Sequence, residues 1–272
     1  MMIIIGEKIN GASPSASALI AGRDEAAIAD LARRQVEAGA DFIDVCAGNA
    51  GEEELQTLLW LIDVVETAVD TAKTPLCVDS PDPRTLLAAA EHVAHPGMLN
   101  SISLEGEKCE LILPWLAAHP EWHAVALCCD NAGLAAAAED KLRLAGELVA
   151  RTEAAGVAAE RLHIDPLVLA VSAAGDGAVQ VIKATKLILG AYPEVHIAAG
   201  VSNVSYGMPA RPVVNRVFLA LTIEAGLDTP IIDPCAKSVA ETLFATEAVL
   251  GRDKHCRKYN NAYRKGLIGT KK

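Results

Sequence analysis

Glu37-Ala38-Gly39-Ala40-Asp41-Phe42-Ile43-Asp44-Val45-Cys46 joins a helix end, a glycine and a short apolar run in one passage. Glu224-Ala225-Gly226-Leu227-Asp228 is a near-copy, and Glu153-Ala154-Ala155-Gly156 is a third version. In each, glycine can take the left-handed conformation that closes a helix before the chain enters a strand. The passage therefore reads as the joint of a repeating strand–helix unit. Working outward from it, mostly apolar runs recur at 2–5, 42–46, 76–78, 98–102, 124–129, 162–164, 195–198 and 230–232. Runs this short suit parallel strands covered on both faces. Helix-period segments follow them: Leu55, Leu58, Leu59, Ile62 and Val69 share one face of 52–71, and Ile28, Leu31, Ala32 and Val36 share one face of 24–38. Pro212 falls in the first turn expected for the seventh helix, where proline is tolerated.

Eight such units in 272 residues match an α/β fold of the (β/α)8 TIM barrel type, which typically takes ~250 residues. A doubly wound open sheet would carry a glycine-rich nucleotide loop after its first strand, and Gly6-Glu7-Lys8-Ile9-Asn10-Gly11 is not G-x-G-x-x-G. No linker or composition shift divides the chain. We expect one barrel domain over 1–251, followed by a basic C-terminal tail over 252–272.

Composition narrows the function. Apolar residues make up 51% and charged residues 22%, as in an ordinary globular protein. Aromatic residues are only 4% and the net charge is −11, so neither a stacking groove for single strands nor a duplex-DNA surface is expected. No apolar run approaches the ~18 residues of a membrane span. The start of the chain reaches Glu7 too soon for a signal peptide. Seven cysteines without a Cys-x-x-Cys pair, several inside apolar runs, read as reduced and structural. These readings point to a soluble, cytoplasmic protein without nucleic-acid or membrane partners.

In a barrel of this kind the reactive groups project from the C-terminal ends of the strands. Here those ends carry Glu7 and Asn10, Asp44, Asp79, Asn100, Asp130 with Asn131, Asp165, Ser202 with Asn203, and Asp233. Such residues also cap helices and start turns. Their repetition around one rim favours a shared polar pocket. No lysine ends a strand, which disfavours a Schiff-base aldolase, although Lys8 and Lys237 lie in the loops just beyond strands one and eight. No histidine pair has metal-ligand spacing. Asp44, Asp79 and Asp165 have the donors for magnesium but no motif, so no protein-bound metal is expected. His163 and His196 precede their strand ends and should face packing rather than solvent. Carboxylates and two-way amides suit a planar N–H/NH2 edge, such as a pterin or purine-like ring presents, and nucleobases and guanidines fit it too.

The segments Ile5-Gly6-Glu7-Lys8-Ile9-Asn10, Cys77-Val78-Asp79-Ser80, Leu99-Asn100-Ser101, Ile164-Asp165-Pro166-Leu167 and Gly200-Val201-Ser202-Asn203-Val204-Ser205 occur in this order. With Arg211-Pro212-Val213-Val214-Asn215-Arg216, they make the chain resemble the methyltetrahydrofolate:corrinoid protein methyltransferases of the pterin-binding barrel family over nearly its whole length. The resemblance implies methyl transfer between N5 of tetrahydrofolate and the cobalt of a corrinoid (cobalamin) on a separate protein. Tetrahydrofolate and 5-methyltetrahydrofolate are then substrates, the corrinoid protein is the partner, and a homodimer is expected. Asp79, Asn100 and Asp165 match positions that hold the pterin, and Asn203 matches the residue that contacts N5. Asp44 and Asp130 would complete the pterin rim, and Ser202 and Arg211 would shape the loop. Anaerobic O-demethylation, betaine demethylation and acetyl-CoA synthesis all use this reaction. The alternatives are a dihydropteroate-synthase-like pterin transferase, whose basic diphosphate site is missing here, and a non-catalytic folate-binding subunit that docks a corrinoid protein.

Two positions depart from the family: Cys46 stands where an asparagine is frequent, and Tyr206 where an amide is common. The tail holds eight Lys or Arg against one acid. It reads as a solvated tail or as a docking strip for an acidic corrinoid partner.

Overall fold

The computed structural model describes residues 2–48 and 53–270. Its core strands are β1 (Ile5–Asn10), β2 (Phe42–Cys46), β3 (Leu76–Asp79), β4 (Met98–Leu104), β5 (His123–Asp130), β7 (Leu162–Asp165), β8 (His196–Gly200) and β9 (Thr229–Ile232). These eight pair in parallel in that order, and β9 returns to β1, so the sheet closes into the expected barrel. A short strand β6 (Gly133–Leu134) stands outside it as an antiparallel hairpin on the end of β5.

The surrounding helices are α1 (Pro14–Ala21), α2 (Glu25–Glu37), α3 (Glu54–Ala68), α4 (Pro83–Ala90), α5 (Lys108–Ala118), α6 (Ala138–Ala154), α7 (Gly177–Ala191), α8 (Arg211–Ala225), α9 (Lys237–Val249) and α10 (Arg257–Lys265). Their ends follow local chemistry. Asp24 and Asp82 cap α2 and α4 by accepting from the Ala27 and Thr85 amides, and Pro83 and Pro212 occupy first turns. Gly39, Gly156 and Gly226 take positive φ at the joints that the sequence marks.

Two expectations are corrected. The first strand is Ile5–Asn10 rather than 2–5, so Lys8 belongs to a strand and not to a loop. The other strands agree to within a few residues. The described part of the C-terminal segment is not a frayed tail: Asp253 accepts from the Lys258 and Tyr259 amides at 3.0 and 2.9 Å and starts α10, while Ala262 and Ile268 are buried. Lys271 and Lys272 lie outside the described residues, as does the first residue of the 52–71 segment.

The strand period of two sorts the barrel interior into layers. At the N-terminal end of the strands, His163 is fully buried, stacked 4.6 Å from His196, and bonded to His123 (3.1 Å) and Thr229 (2.8 Å). This agrees with the packing role expected for His163, and burial holds its pKa well below the usual histidine range. Above it, Ile5, Cys77, Met98, Val125 and Ala198 form an apolar plug with Phe42 and Ile231 packed against it. Two residues further along the same strands stand Glu7, Asp44, Asp79, Asn100, Leu127 and Gly200, all but one of the side-chain-bearing positions polar. The apolar plug is thus the floor of a polar chamber.

Candidate active site

The chamber is an open cavity of about 690 Å3 at the C-terminal mouth of the barrel. Asp44, Asp79, Asn100, Asp165, Ser202, Asn203 and Arg211 all line it, together with Glu7, Lys8, Asn10, Tyr206 and Asn215. Seven of the eight residues named from the sequence are therefore brought together. Asp130 is not among the lining residues. Its carboxylate accepts from Ala132 N (2.9 Å) in the hairpin turn and lies 3.6 Å from Arg143.

Three carboxylates crowd the floor with little cationic compensation. Asp79 and Asn100 are register partners on β3 and β4, and Asn100 Nδ2 donates to Asp44 Oδ1 at 3.3 Å. Burial, and then the Asp79 carboxylate, push the Asp44 pKa well up, against hydrogen bonds from Asn100 and the Cys77 thiol. Burial also raises Asp79 to about 6, with the Cys46 thiol beside it working the other way. Cys46 does not line the cavity; it is the register partner of Asp79 and backs that carboxylate. Asp165 is likewise raised to about 6 by burial, offset by the Leu167 amide, Lys141 and the Gly200 amide. Each acid has been stripped of water without gaining a full counter-ion, so each is poised to accept from a ligand's N–H groups.

Asp165 is held from behind. The Leu167 amide donates to Asp165 Oδ1 at 2.7 Å, and Leu167 itself sits at φ 58°, a strained backbone for leucine. Lys141, 1% exposed, anchors that turn by donating to the Pro166 (2.5 Å) and Leu167 (3.1 Å) carbonyls. Sequence reading passed over this lysine. The available signal was its place on the apolar face of α6 with Leu144, Ala145 and Leu148.

Asn203 stands in a 3-10 turn, Val201–Ser205, directly after β8. Gly200 makes room for it, since a Cβ at 200 would lie 2.9 Å from Asn203 Nδ2. Arg211 braces the turn by donating from Nη2 to Ser202 O (2.7 Å) and from Nε to Ser205 Oγ (3.1 Å). Tyr206 reaches the cavity edge 71% exposed, with its ring 6.0 Å from the Arg211 guanidinium carbon. Glu7 and Asn10, noted in the sequence only as strand-end residues, prove to be part of the lining. Among the described residues, no group of three or more His, Cys, Asp or Glu side chains is placed to hold a metal ion. No helix of those residues is long and apolar enough to cross a membrane.

The sequence profile of the pterin binding enzymes matches residues 6–233. The chain is 44% identical over 269 residues to the methylcorrinoid:tetrahydrofolate methyltransferase of Eubacterium limosum, covering 98% of each chain. It is 29% identical over 244 residues to the methionine synthase of Mycobacterium tuberculosis, where the match spans 85% of this chain and 20% of that one. Among solved structures, the dihydropteroate synthase of Xanthomonas albilineans in complex with 7,8-dihydropteroate superposes with a TM-score of 0.64 at 20% identity, covering 92% of this chain and 94% of that one. That last likeness is one of fold.

Proposed function

The chain belongs to the pterin-binding enzyme family, and on that premise we propose that it is a methyltransferase carrying a methyl group from a corrinoid on a separate protein to N5 of tetrahydrofolate. The observation that carries this reading is the convergence of Asp44, Asp79, Asn100 and Asp165 with Asn203 on one cavity. The kinship over 98% of the chain supports the choice of substrates and the direction of transfer. Demethylation of a methyl ether or a betaine is the class of reaction that would load such a corrinoid.

The pterin fits the residues present. Its amino and ring N–H donors meet desolvated carboxylates that lack donors of their own, and Asn100 can serve a donor or an acceptor. Asp79, Asn100 and Asp165, with Asp44 behind them, hold the ring at the floor. This leaves N5 towards the Asn203 turn and the methyl path towards the open mouth. N5 is then the nucleophile, and the site works by aligning N5, the methyl carbon and cobalt for in-line displacement. In the reverse direction a tertiary amine is a poor leaving group. A hydrogen bond from the Asn203 amide to N5 strengthens as the N–C bond breaks and so stabilises the transition state.

The protein acts as a homodimer in this reading. Val213, Val217 and Leu221 stand 53%, 58% and 49% exposed at four-residue spacing along α8, an apolar stripe of the kind that a second copy covers. All seven cysteines are free, which suits the reducing cytoplasm. The test is anaerobic mixing of the protein with tetrahydrofolate and methylcobalamin, and separately with 5-methyltetrahydrofolate and cob(I)alamin, following the corrinoid spectrum. Interconversion is expected. A protein that binds neither folate would overturn the reading.

A further inference from the structure

The site described above aligns a nucleophile but names no destination for the proton that N5 must lose. The geometry around Glu7 supplies one. Glu7 lies two residues beyond Ile5 on β1 and points into the chamber. Ser202 Oγ donates to Glu7 Oε2 at 3.5 Å, and Ser202 immediately precedes Asn203 in the same turn. On its other side Glu7 walls a second hollow of about 180 Å3, with Ser202, Asn215, Asp233 and Ser238. Val201, Pro212, Leu219, Ile232, Ala236 and Val239 make most of its wall apolar, but the hollow is roomy enough for water and the polar side chains just named give it partners. Asn215 borders both spaces, and its Oδ1 is buried without a partner among the described residues. A buried acceptor left open in this way calls for a bound donor, and water is the donor that fits.

We infer that Glu7 is the base that takes the N5 proton, through Ser202 and water, and passes it outward by the second hollow. The inference rests on the methyl-transfer reading. In the step, the N5 lone pair forms the N–CH3 bond while the Co–C bond breaks. Both electrons of that bond go to cobalt, which falls from the +3 to the +1 state. The N5–H proton ends on the Glu7 carboxylate, so tetrahydrofolate and methylcobalt(III) become 5-methyltetrahydrofolate, cobalt(I) and one proton.

The charged groups facing Glu7 are Asp233 just past the end of β9, Lys8 on β1, Arg211 on α8 and Asp44 on β2. Lys8 is itself paired with Asp233 at 3.3 Å. Burial, followed by the Asp233 charge, raises Glu7 to about 7 against Lys8, Ser202 and Arg211. A base of that pKa both accepts and releases a proton near neutral pH.

The experiment compares the wild type with Glu7→Gln and Glu7→Asp in both directions of the cobalamin assay, between about pH 6 and pH 8. Folate affinity and melting temperature are measured alongside. Wild-type methylation of tetrahydrofolate should rise with pH and the reverse reaction fall, both bending near the Glu7 pKa. Glu7→Gln should keep folate affinity, lose roughly 100-fold in kcat and lose the bend. Glu7→Asp should recover part of the rate together with a bend. A Glu7→Gln enzyme with the wild-type pH profile, or with a raised KM and unchanged kcat, overturns the proton step alone. A wild type that binds folate and transfers no methyl overturns the reading of function and the proton step with it.

Discussion

Asn100 reaches past a neighbouring strand to Asp44: its Nδ2 lies 3.3 Å from Asp44 Oδ1, although β3 with Asp79 stands between β2 and β4. One amide thus ties the most buried carboxylate of the floor to the far side of Asp79. Asn100→Ala removes the donor and leaves a carboxylate with 1% exposure less well satisfied. Asn100 also lines the cavity, and a pterin donor or acceptor left unpaired there costs about 1–3 kcal/mol, so folate affinity should fall roughly 10- to 100-fold. Asn100→Asp should bind more weakly still, because it adds a further negative charge to the cluster. Calorimetric titration with tetrahydrofolate checks both.

Proton exchange on binding follows from the same crowding. Asp79 and Asp165 are raised to about 6 in the free protein. Pterin N–H donors favour the ionised carboxylates and so lower those pKa values. Binding near pH 6 should therefore release protons, and affinity should increase as pH rises through about 6 and then level off. Titrations in buffers of different ionisation heat measure the release directly. Proton uptake instead would mean that the acids bind in their neutral form.

The strand ends show why the sequence disclosed the barrel more readily than the site. Apolar runs located every strand, yet they stopped short of Asp79, Asp130, Asp165 and Gly200, and they missed β1 beyond Ile5 altogether. Inward positions turn polar where the plug gives way to the chamber, so the hydrophobic signal ends where function begins. Asn203 was legible because its segment has a distinctive order of residues. The place of Glu7 in the cavity lining was not, because a carboxylate at a strand end looks the same whether it caps a turn, as Asp130 does, or lines a cavity. The C-terminal helix was hidden by its charge. The burial of Ala262 and Ile268 and the Asp253 cap distinguish it from an unstructured tail.

Asp79 should be retained for binding at a cost in stability. Its pKa is higher in the folded protein than in the unfolded chain, so the folded state holds the extra proton between about pH 4 and pH 6, and stability falls as pH rises through that window. A rise from 3.8 to about 6 corresponds to about 3 kcal/mol above the window, as an upper bound. Asp79→Asn should therefore melt at a higher temperature than the wild type near pH 7, with the difference vanishing towards pH 4, while folate affinity drops. Thermal melts across pH read the sign.

Asn203→Ala separates binding from transfer. The floor residues remain, so tetrahydrofolate affinity should change little, whereas turnover should fall about 100- to 1000-fold, the usual effect of removing a single transition-state donor. Arg211→Met, which frees the turn at Ser202 O and Ser205 Oγ, should give a milder loss with the same pattern. Single-turnover kinetics with methylcobalamin check both variants.

The α8 stripe makes the last prediction. Three aliphatic side chains about half exposed on one helix face contribute favourably only if a partner covers them, at about 25 cal/mol per Å2 removed from water. A charge at the middle position acts on both copies of a two-fold interface, because each copy meets the same patch of the other. Val217→Glu should thus convert a dimer to a monomer in sedimentation. Val217 lies outside the residues that line the chamber, so folate affinity measured on that monomer should match the wild type. If the wild type itself sediments as a monomer, the stripe is free for another surface, and the corrinoid protein becomes the next partner to test against it.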